Sequence, residues 1–350
     1  MKRYNNLYEK IYDYHNVVQA HHMARIRKAH YRGVKMVNRD EFNYCVKISE
    51  MLYKQTYIVN KDSYNYMKII DKGKERDIYK LPYFPHRIIQ WAIMLQLEPI
   101  FKKMFIHDTY ASIRERGLHS ALKKIKKSIN NGEYKYCLKL DIRKYYPSIN
   151  NHILYKLIKK RFKDEKLLWL LKQIIFSMGD KGQPIGSLWS QYAGNFYLTE
   201  FDHWIKEELK IKQYYRYCDD MTIFGNNKEE LHELRKKIQV YLKENLDVDL
   251  KPNYQVFPIK SRGIDFLGYR MFPKYTLLRK RTVKTMKRKL ISYQKKDILT
   301  YSNYCSINSY LGWLLHCNSY NLKCKYFQPL IGKKYYDHNG DIQILDLKLF

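Results

Sequence analysis

Tyr214–Gly225 reads YYRYCDDMTIFG, two runs of strand-forming residues that meet at the adjacent carboxylates Asp219 and Asp220. Tyr, Thr, Ile and Phe suit a pleated, half-buried surface, whereas ionised aspartates repel each other and form strands poorly. The spacing predicts a hairpin with the two acids at its tip. Such a tip offers oxygen ligands to a hard divalent cation, although aspartate is also an ordinary turn residue and a plain surface turn would use it too.

With 350 residues, 45% of them hydrophobic, the chain is long enough to bury a sizeable core and too apolar to be disordered. Lys+Arg number 66 against 34 Asp+Glu, a formal charge of +32 that repels itself unless a polyanion neutralises part of it. Nucleic acid is the partner this implies. An anionic membrane surface competes for that role, but the basic residues are spread along the whole sequence and no long stretch gives them a strongly amphipathic face. The 35 tyrosines add planes on which unpaired bases can stack, while most of them serve the core. Cys45, Cys137, Cys218, Cys305, Cys317 and Cys324 lie far apart without a CxxC pair and are expected as reduced, mostly buried thiols. Together with His316, three of them (Cys305, Cys317, Cys324) fit no common zinc spacing. The opening MKRYNNLYEK lacks an apolar signal region, and no run of about 18 apolar residues occurs, so a cytoplasmic protein without a membrane partner is expected.

In chain order, Met1–Arg32 carries His15, His21, His22 and His30 among charges and is expected as a solvated helix. Glu41–Gln55 has helical apolar spacing, and Ser63–Ile70 with Asp77–Leu81 read as short strands about a Lys72-Gly73-Lys74 turn, a basic hairpin able to lie over a nucleotide. Arg87–Phe101 is too densely apolar for a surface helix. Arg114-Glu115-Arg116-Gly117 precedes a basic helix from Leu118; arginines at a helix start suit a triphosphate, although Arg-rich loops are common on basic proteins.

In Tyr136–Ile149, YCLKLDIRKYYPSI, the apolar Leu138, Leu140 and Ile142 alternate with Lys139, Asp141 and Arg143, a strand that puts Asp141 opposite the apolar face near its end. Asn151–Ser177 reads as mostly helical. Gly179–Ile205 is a Gly/Pro-bearing loop running into a helix near Ser187, where Gly182 and Gly186 allow close backbone approach. Glu229–Glu244 is an amphipathic helix, and Val248–Val256 a strand-like run. An acidic strand, a glycine-loop helix and an acidic hairpin thus follow one another within one compact α/β span.

These stretches resemble the reverse transcriptases over nearly the whole chain. Leu140-Asp141-Ile142-Arg143-Lys144-Tyr145-Tyr146 is similar to the first catalytic motif, Pro184-Ile185-Gly186-Ser187-Leu188-Trp189-Ser190-Gln191 to the template-floor motif, and Tyr217-Cys218-Asp219-Asp220 has the YxDD form. The resemblance implies an α+β right-hand polymerase: fingers (1–135), palm (136–149 and 179–278, with an antiparallel sheet), a helical insertion (150–178), a helical thumb (279–335) and a C-terminal hairpin tail (336–350). No nuclease, integrase or maturase domain is expected to follow. Ile185-Gly186 and Ser190-Gln191, in place of the usual Gln-Gly and Ser-Pro, resemble the enzymes of diversity-generating retroelements, where the change accompanies poor fidelity opposite template adenines. The variant also recurs in bacterial enzymes linked to phage defence.

The family's chemistry implies that Asp141, Asp219 and Asp220, with Ile142, hold two Mg²⁺ ions roughly 3.5–4 Å apart, with Mn²⁺ as a substitute. Lys251 resembles the lysine proposed to protonate pyrophosphate, but a solvated or structural lysine is an equal reading. Arg114 or Arg116 with Ile185, Gly186 and Gln191 would face the dNTP, and Tyr146 resembles the gate that rejects a ribose 2′-hydroxyl. Phe266, Leu267 and Gly268 resemble the hairpin that grips the primer end, Tyr217 would contact nucleic acid, and Arg279, Lys280, Arg281, Lys284, Lys287 and Arg288 would line a duplex through its phosphates. A structured noncoding or repeat RNA as template, a cDNA product, and a small basic accessory protein or a second copy are the implied partners. A different two-metal enzyme, such as a nuclease, and an inactive RNA-binding protein with a polymerase fold are the competing classes.

Overall fold

Apolar stripes lay out the helices, and side chains cap some of them. The computed structural model describes residues 3–71, 73–130 and 132–349. It opens with α1 (Tyr8–Tyr12) and α2 (Tyr14–Arg25), the latter capped by Asp13, which accepts from the Asn16 amide at 3.1 Å. α3 (Arg32–Arg39) and α4 (Glu41–Tyr53) follow, and α4 buries Cys45, Ile48 and Leu52 at helical intervals. β1 (Asn65–Asp71) and β2 (Lys74–Lys80) form the expected antiparallel hairpin; Lys72 of its turn lies outside the described residues, as do Met1 and Lys2 of the first segment. α5 (Ile88–Met104) is the apolar core helix, buried at Ile88, Ile89, Ala92, Ile93, Leu97 and Phe101.

The chain continues through α6 (Leu118–Asn130), β3 (Tyr136–Asp141), α7 (Tyr145–Ser148), α8 (Asn151–Arg161) and α9 (Glu165–Ile175). Next come α10 (Leu188–Tyr197), α11 (Thr199–His203), the hairpin β4 (Tyr214–Tyr217) and β5 (Asp220–Gly225), and α12 (Lys228–Leu246). The remainder holds β6 (Gln255–Pro258), α13 (Ile259–Arg262), β7 (Ile264–Phe266), β8 (Tyr269–Met271), β9 (Thr276–Leu278) and α14 (Lys280–Gln294). It closes with β10 (Ile298–Leu299), α15 (Tyr301–Leu314), α16 (Tyr320–Tyr326), β11 (Lys334–Tyr336) and β12 (Ile342–Ile344). The last two strands are the hairpin expected about Asn339-Gly340, and Phe350 lies outside the described residues.

Two units pack separately. One takes the residues up to Gly117, Lys139–Ile223 and His232–Tyr254; the other takes Leu118–Leu138, Phe224–Leu231 and everything from Gln255. In the first, β5 lies between β4 and β3. Its helices are fastened by side chains from distant segments. Gln90 Oε1 on α5 accepts from Ser187 Oγ at 3.1 Å and the Leu188 amide at 3.1 Å, capping α10 alongside Ser187. Asp164 caps α9 and also accepts from the Leu7 and Tyr8 amides, at 2.8 and 2.9 Å, which ties α1 to it. In the second unit β7, β8 and β9 form an antiparallel sheet.

Several expectations need correction. The first segment is not merely solvated: His21 is fully buried between Asn38 Oδ1 (3.0 Å) and Tyr83 Oη (2.8 Å). Of the strand expected over Val248–Val256 only Gln255 and Val256 form one, as the start of β6; residues 248–254 are irregular, with an isolated bridge from Leu250 to Ile142. The second thumb helix expected over Ser306–Leu322 is broken between α15 and α16, where Asn318 leaves the helix to bond both ways with Thr276 (2.8 and 2.9 Å). Cys45 and Cys137 are buried as expected, but Cys218, Cys317 and Cys324 are only half-buried and Cys305 is exposed.

Leu267 and Gly268 form the two-residue loop between β7 and β8, with φ +55° and +87°. A Cβ on Gly268 would stand 2.6 Å from Trp313 Cζ3. Gly268→Ala therefore combines a left-handed penalty of about 1–2 kcal/mol with overpacking of similar size. The melting temperature is expected to fall by several degrees; an unchanged melt would mean that the Trp313 ring yields freely.

Candidate active site

The alternation of β3 decides where Asp141 points. Leu138 and Leu140 are buried while Lys139 and Asp141 share the half-exposed face. Just beyond the strand the backbone is pinned on two sides: the Ile142 amide donates to the Asp219 carbonyl at 3.4 Å, and the Arg143 amide to the Asp249 carbonyl at 2.8 Å. Ile142 itself is fully buried. β4 and β5 pair with Tyr217 opposite Asp220, leaving Cys218 and Asp219 as a two-residue loop, and Cys218 takes φ +58°. The hairpin expected from Tyr214–Gly225 is formed, but its loop lies one residue earlier than the two acids: Asp220 already pairs in β5, and Asp219 alone of the two stands in the loop, against Asp141.

Electrostatics mark this as the strained part of the molecule. Burial pushes the Asp219 carboxyl up to about 6, and the neighbouring Asp141 charge adds to it. Burial pushes Asp220 up to about 7, partly offset by Lys139, whose Nζ lies 3.4 Å from Asp220 Oδ2. Lys251 Nζ stands 2.5 Å from Asp141 Oδ1. Two ammonium groups therefore supply the counter-charge in the protein alone. Among the described residues no three His, Cys, Asp or Glu side chains form a ready cation cage. The donor set nevertheless suits a divalent ion: Asp220 Oδ1 is buried without a hydrogen-bond partner, and Asp141 and Asp219 repel until a cation joins them.

Tyr146 stands next to the tip. Its Oη accepts from Cys218 Sγ at 3.4 Å, and its carbonyl accepts from the Gln183 amide at 2.9 Å. Gly194 on α10 makes room for the ring; a Cβ there would meet Tyr146 Cε1 at 3.1 Å. The glycine loop packs on the same segment, with the Gly182 amide donating to the Ile149 carbonyl at 2.7 Å. Ile185 offers its carbonyl to the Tyr79 amide at 3.2 Å, and Gly186 (φ +110°) lies under Ile78 and Tyr79, so the β1–β2 hairpin touches the glycine loop. Gln191 is exposed on α10. The arginines are occupied: Arg114 Nε is 3.3 Å from Glu98 Oε1, and Arg116 Nη1 donates to the Ile106 carbonyl at 3.0 Å.

In the second unit Phe266 is fully buried, so it is not available to a primer, while Leu267 and Gly268 of the β7–β8 turn are half-exposed. Arg279 is not on the helix but stands just before α14, and its guanidinium is held by Asp265. Lys280, Arg281, Lys284 and Arg288 are exposed along α14, whereas Lys287 lies over the Tyr326 ring, 5.3 Å from its centroid.

A family model described as reverse transcriptase (RNA-dependent DNA polymerase) matches residues 59–271, a span that contains Asp141, Tyr146, the glycine loop and the acidic hairpin. The chain belongs to the reverse transcriptase family. Its fold is the mixed helix and antiparallel-sheet polymerase fold of that family. Protein YkfC of Escherichia coli is 24% identical over 238 residues, 55% of this chain and 62% of that protein. The group II intron-encoded protein LtrA of Lactococcus lactis subsp. cremoris is 22% identical over 281 residues, 60% of this chain and 47% of LtrA. The chain thus spans about half to three-fifths of these relatives' length. The telomerase of Candida albicans, solved with a fragment of telomeric RNA, aligns with a TM-score of 0.45 and 10% identity over 68% of this chain and 50% of its own. Among the described residues no helix is long and apolar enough to cross a membrane.

Within this member of the reverse transcriptase family, sequence reasoning missed Lys139, although its place two residues before Asp141 on a strand puts both on one face. It also missed Gly194 and the side chains beneath the hairpin, which carry no periodic signal. The raised carboxyls predict a pH dependence. Because Asp219 is raised in the fold, its contribution to stability is present at acid pH, below its ordinary value, and is lost as pH rises through about 6. Relative to Asp219→Asn, the metal-free protein is expected to lose melting temperature between pH 5 and pH 8, and millimolar Mg²⁺ to restore it at pH 8. A difference that stays flat with pH would mean that Asp219 is solvated.

Proposed function

We propose that this chain is an RNA-directed DNA polymerase that copies a dedicated structured noncoding or repeat RNA into cDNA by two-metal nucleotidyl transfer. The observation that carries the reading is the convergence of Asp141 with Asp219 at the tip of a two-residue hairpin, beside the unpartnered oxygen of Asp220. Mg²⁺, or Mn²⁺ in its place, held by Asp141, Asp219, Asp220 and the Ile142 carbonyl, would activate a primer hydroxyl and neutralise the triphosphate.

The chain's own groups do the rest. Lys251 Nζ, already on Asp141, is an ammonium placed to give a proton to leaving pyrophosphate. The Tyr146 ring bounds the sugar, Gly186 lets the template approach the backbone, and Ile185 and Gln191 line the base pair. Arg114 and Arg116 reach the triphosphate only by leaving Glu98 and the Ile106 carbonyl. Tyr217 contacts nucleic acid, the Leu267-Gly268 turn meets the primer end, and the exposed cations of α14 track the duplex as a thumb does, with fingers over 1–135 and palm over 136–149 and 179–278. The Ile185-Gly186 variant supports a role in a diversity-generating or phage-defence system in a cytoplasm. A small basic protein or a second copy is the accessory partner.

The lysine contacts on Asp141 and Asp220 favour one alternative, an inactive RNA-binding protein with this fold. Purification from cells carrying the native locus, with sequencing of bound RNA and of any DNA copied from it, separates the two. cDNA that vanishes in an Asp219→Ala, Asp220→Ala control supports the polymerase; RNA bound without cDNA in either sample supports the alternative.

A further inference from the structure

Beneath the acidic hairpin lies a fully buried ion pair, Arg216 on β4 with Asp202 on α11. Arg216 Nε donates to Asp202 Oδ1 at 2.8 Å and Nη2 to Oδ2 at 2.5 Å. Nη1 donates to Asn195 Oδ1 at 3.2 Å and to the Cys218 carbonyl oxygen at 2.9 Å, while Nη2 also reaches the Asn195 carbonyl at 3.3 Å. A guanidinium has five N–H groups, and this environment uses all five. Asp202 is satisfied in turn by Thr109 Oγ1 at 3.1 Å and Tyr214 Oη at 2.7 Å.

A buried ion pair is weak evidence for stability, since apolar side chains of similar volume often serve as well. The bond to the Cys218 carbonyl is what sets this one apart. Cys218 is the left-handed residue of the loop, and the carbonyl that Arg216 holds belongs to the peptide joining Cys218 to Asp219. Rotation of that peptide would swing Asp219 away from Asp141. The same guanidinium binds α10 through Asn195, and the Arg216 backbone pairs with Asp108 and Tyr110 (3.0 and 3.1 Å), at the head of the segment that carries Arg114 and Arg116.

We propose that Arg216, with Asp202 as its buried counter-charge, is a positioning residue that fixes the Cys218–Asp219 peptide and so sets the Asp219 carboxylate against Asp141. This rests on the polymerase reading for its functional consequence, but its effect on cation binding does not.

The test uses the full chain in three forms: wild type, Arg216→Lys, and Arg216→Met combined with Asp202→Leu. The paired change removes both charges, so no buried carboxylate is stranded, and Arg216→Lys keeps a charge on Asp202 should the pair fail to fold. Primer extension on an RNA template gives kcat and the dNTP KM; template affinity and the Mg²⁺-induced rise in melting temperature are measured alongside. Both variants are expected to bind template and dNTP within about twofold of wild type, while kcat falls about 100-fold, the scale of a 1 Å misplacement, and the Mg²⁺ midpoint rises. A folded variant with kcat and Mg²⁺ midpoint unchanged overturns the proposal. If wild type does not extend a primer, the polymerase reading fails, and the Mg²⁺ shift alone decides: equal shifts in wild type and variant overturn the positioning role.

Discussion

Asp219→Asn is expected to lower RNA-templated primer extension by at least roughly 10³-fold while leaving the protein folded and able to bind RNA. Losing one neutral donor at a developing charge costs about 10²–10³ in kcat, and under the proposed reading a carboxylate that would hold the cations should matter more. The substitution is close to isosteric, and the pair Tyr217–Asp220 that closes the hairpin does not involve it. It also removes the like charge beside Asp141, so the metal-free variant should be more stable than wild type at pH 8. Activity and stability therefore move in opposite directions, which a general folding defect would not produce. Extension within tenfold of wild type would remove Asp219 from the metal set.

Tyr146→Ala is expected to raise the rNTP-to-dNTP incorporation ratio on the order of 10²-fold, with a smaller loss of dNTP turnover. The reason is rigidity. The ring is packed against Gly194, its hydroxyl takes the Cys218 thiol, and its carbonyl is tied to the glycine loop, so it cannot step aside for an extra hydroxyl. A hydrophobic wall alone discriminates about 10–200-fold, which sets the scale. Tyr146→Phe keeps the ring and should keep the ratio. A ratio unchanged in Tyr146→Ala, measured by single-nucleotide incorporation, removes Tyr146 from that role.

The acidic hairpin was legible as an element because two β-forming runs flank the acids, but its register was not: Cys218, not Asp220, shares the loop with Asp219. Asp141 was legible from the period of two along its strand, and the Ser187 start of α10 because a serine cap and a glycine loop precede an apolar run. Where the chain departs from its pattern, a distant partner decides. Asn318 ends α15 because Thr276, far back in sequence, offers both an amide and a carbonyl. His21 is buried because Asn38 and Tyr83 satisfy its two nitrogens. Lys251 reaches Asp141 from irregular backbone, which no strand pattern could place, and Arg279 is lost to Asp265 at the foot of a helix that reads as wholly cationic. Asp202 and Arg216 sit 14 positions apart, and nothing in their spacing joins them.

The saturated guanidinium of Arg216 also constrains how this sequence can drift. Losing the arginine strands a buried carboxylate, and losing the aspartate strands a buried cation, so either single step passes through a poorly folded intermediate. Lineages should therefore keep both residues or exchange both together for a neutral pair. A collection of diverged descendants would show the two columns changing as one, with Asn195 and Tyr214, which bond to the pair, following.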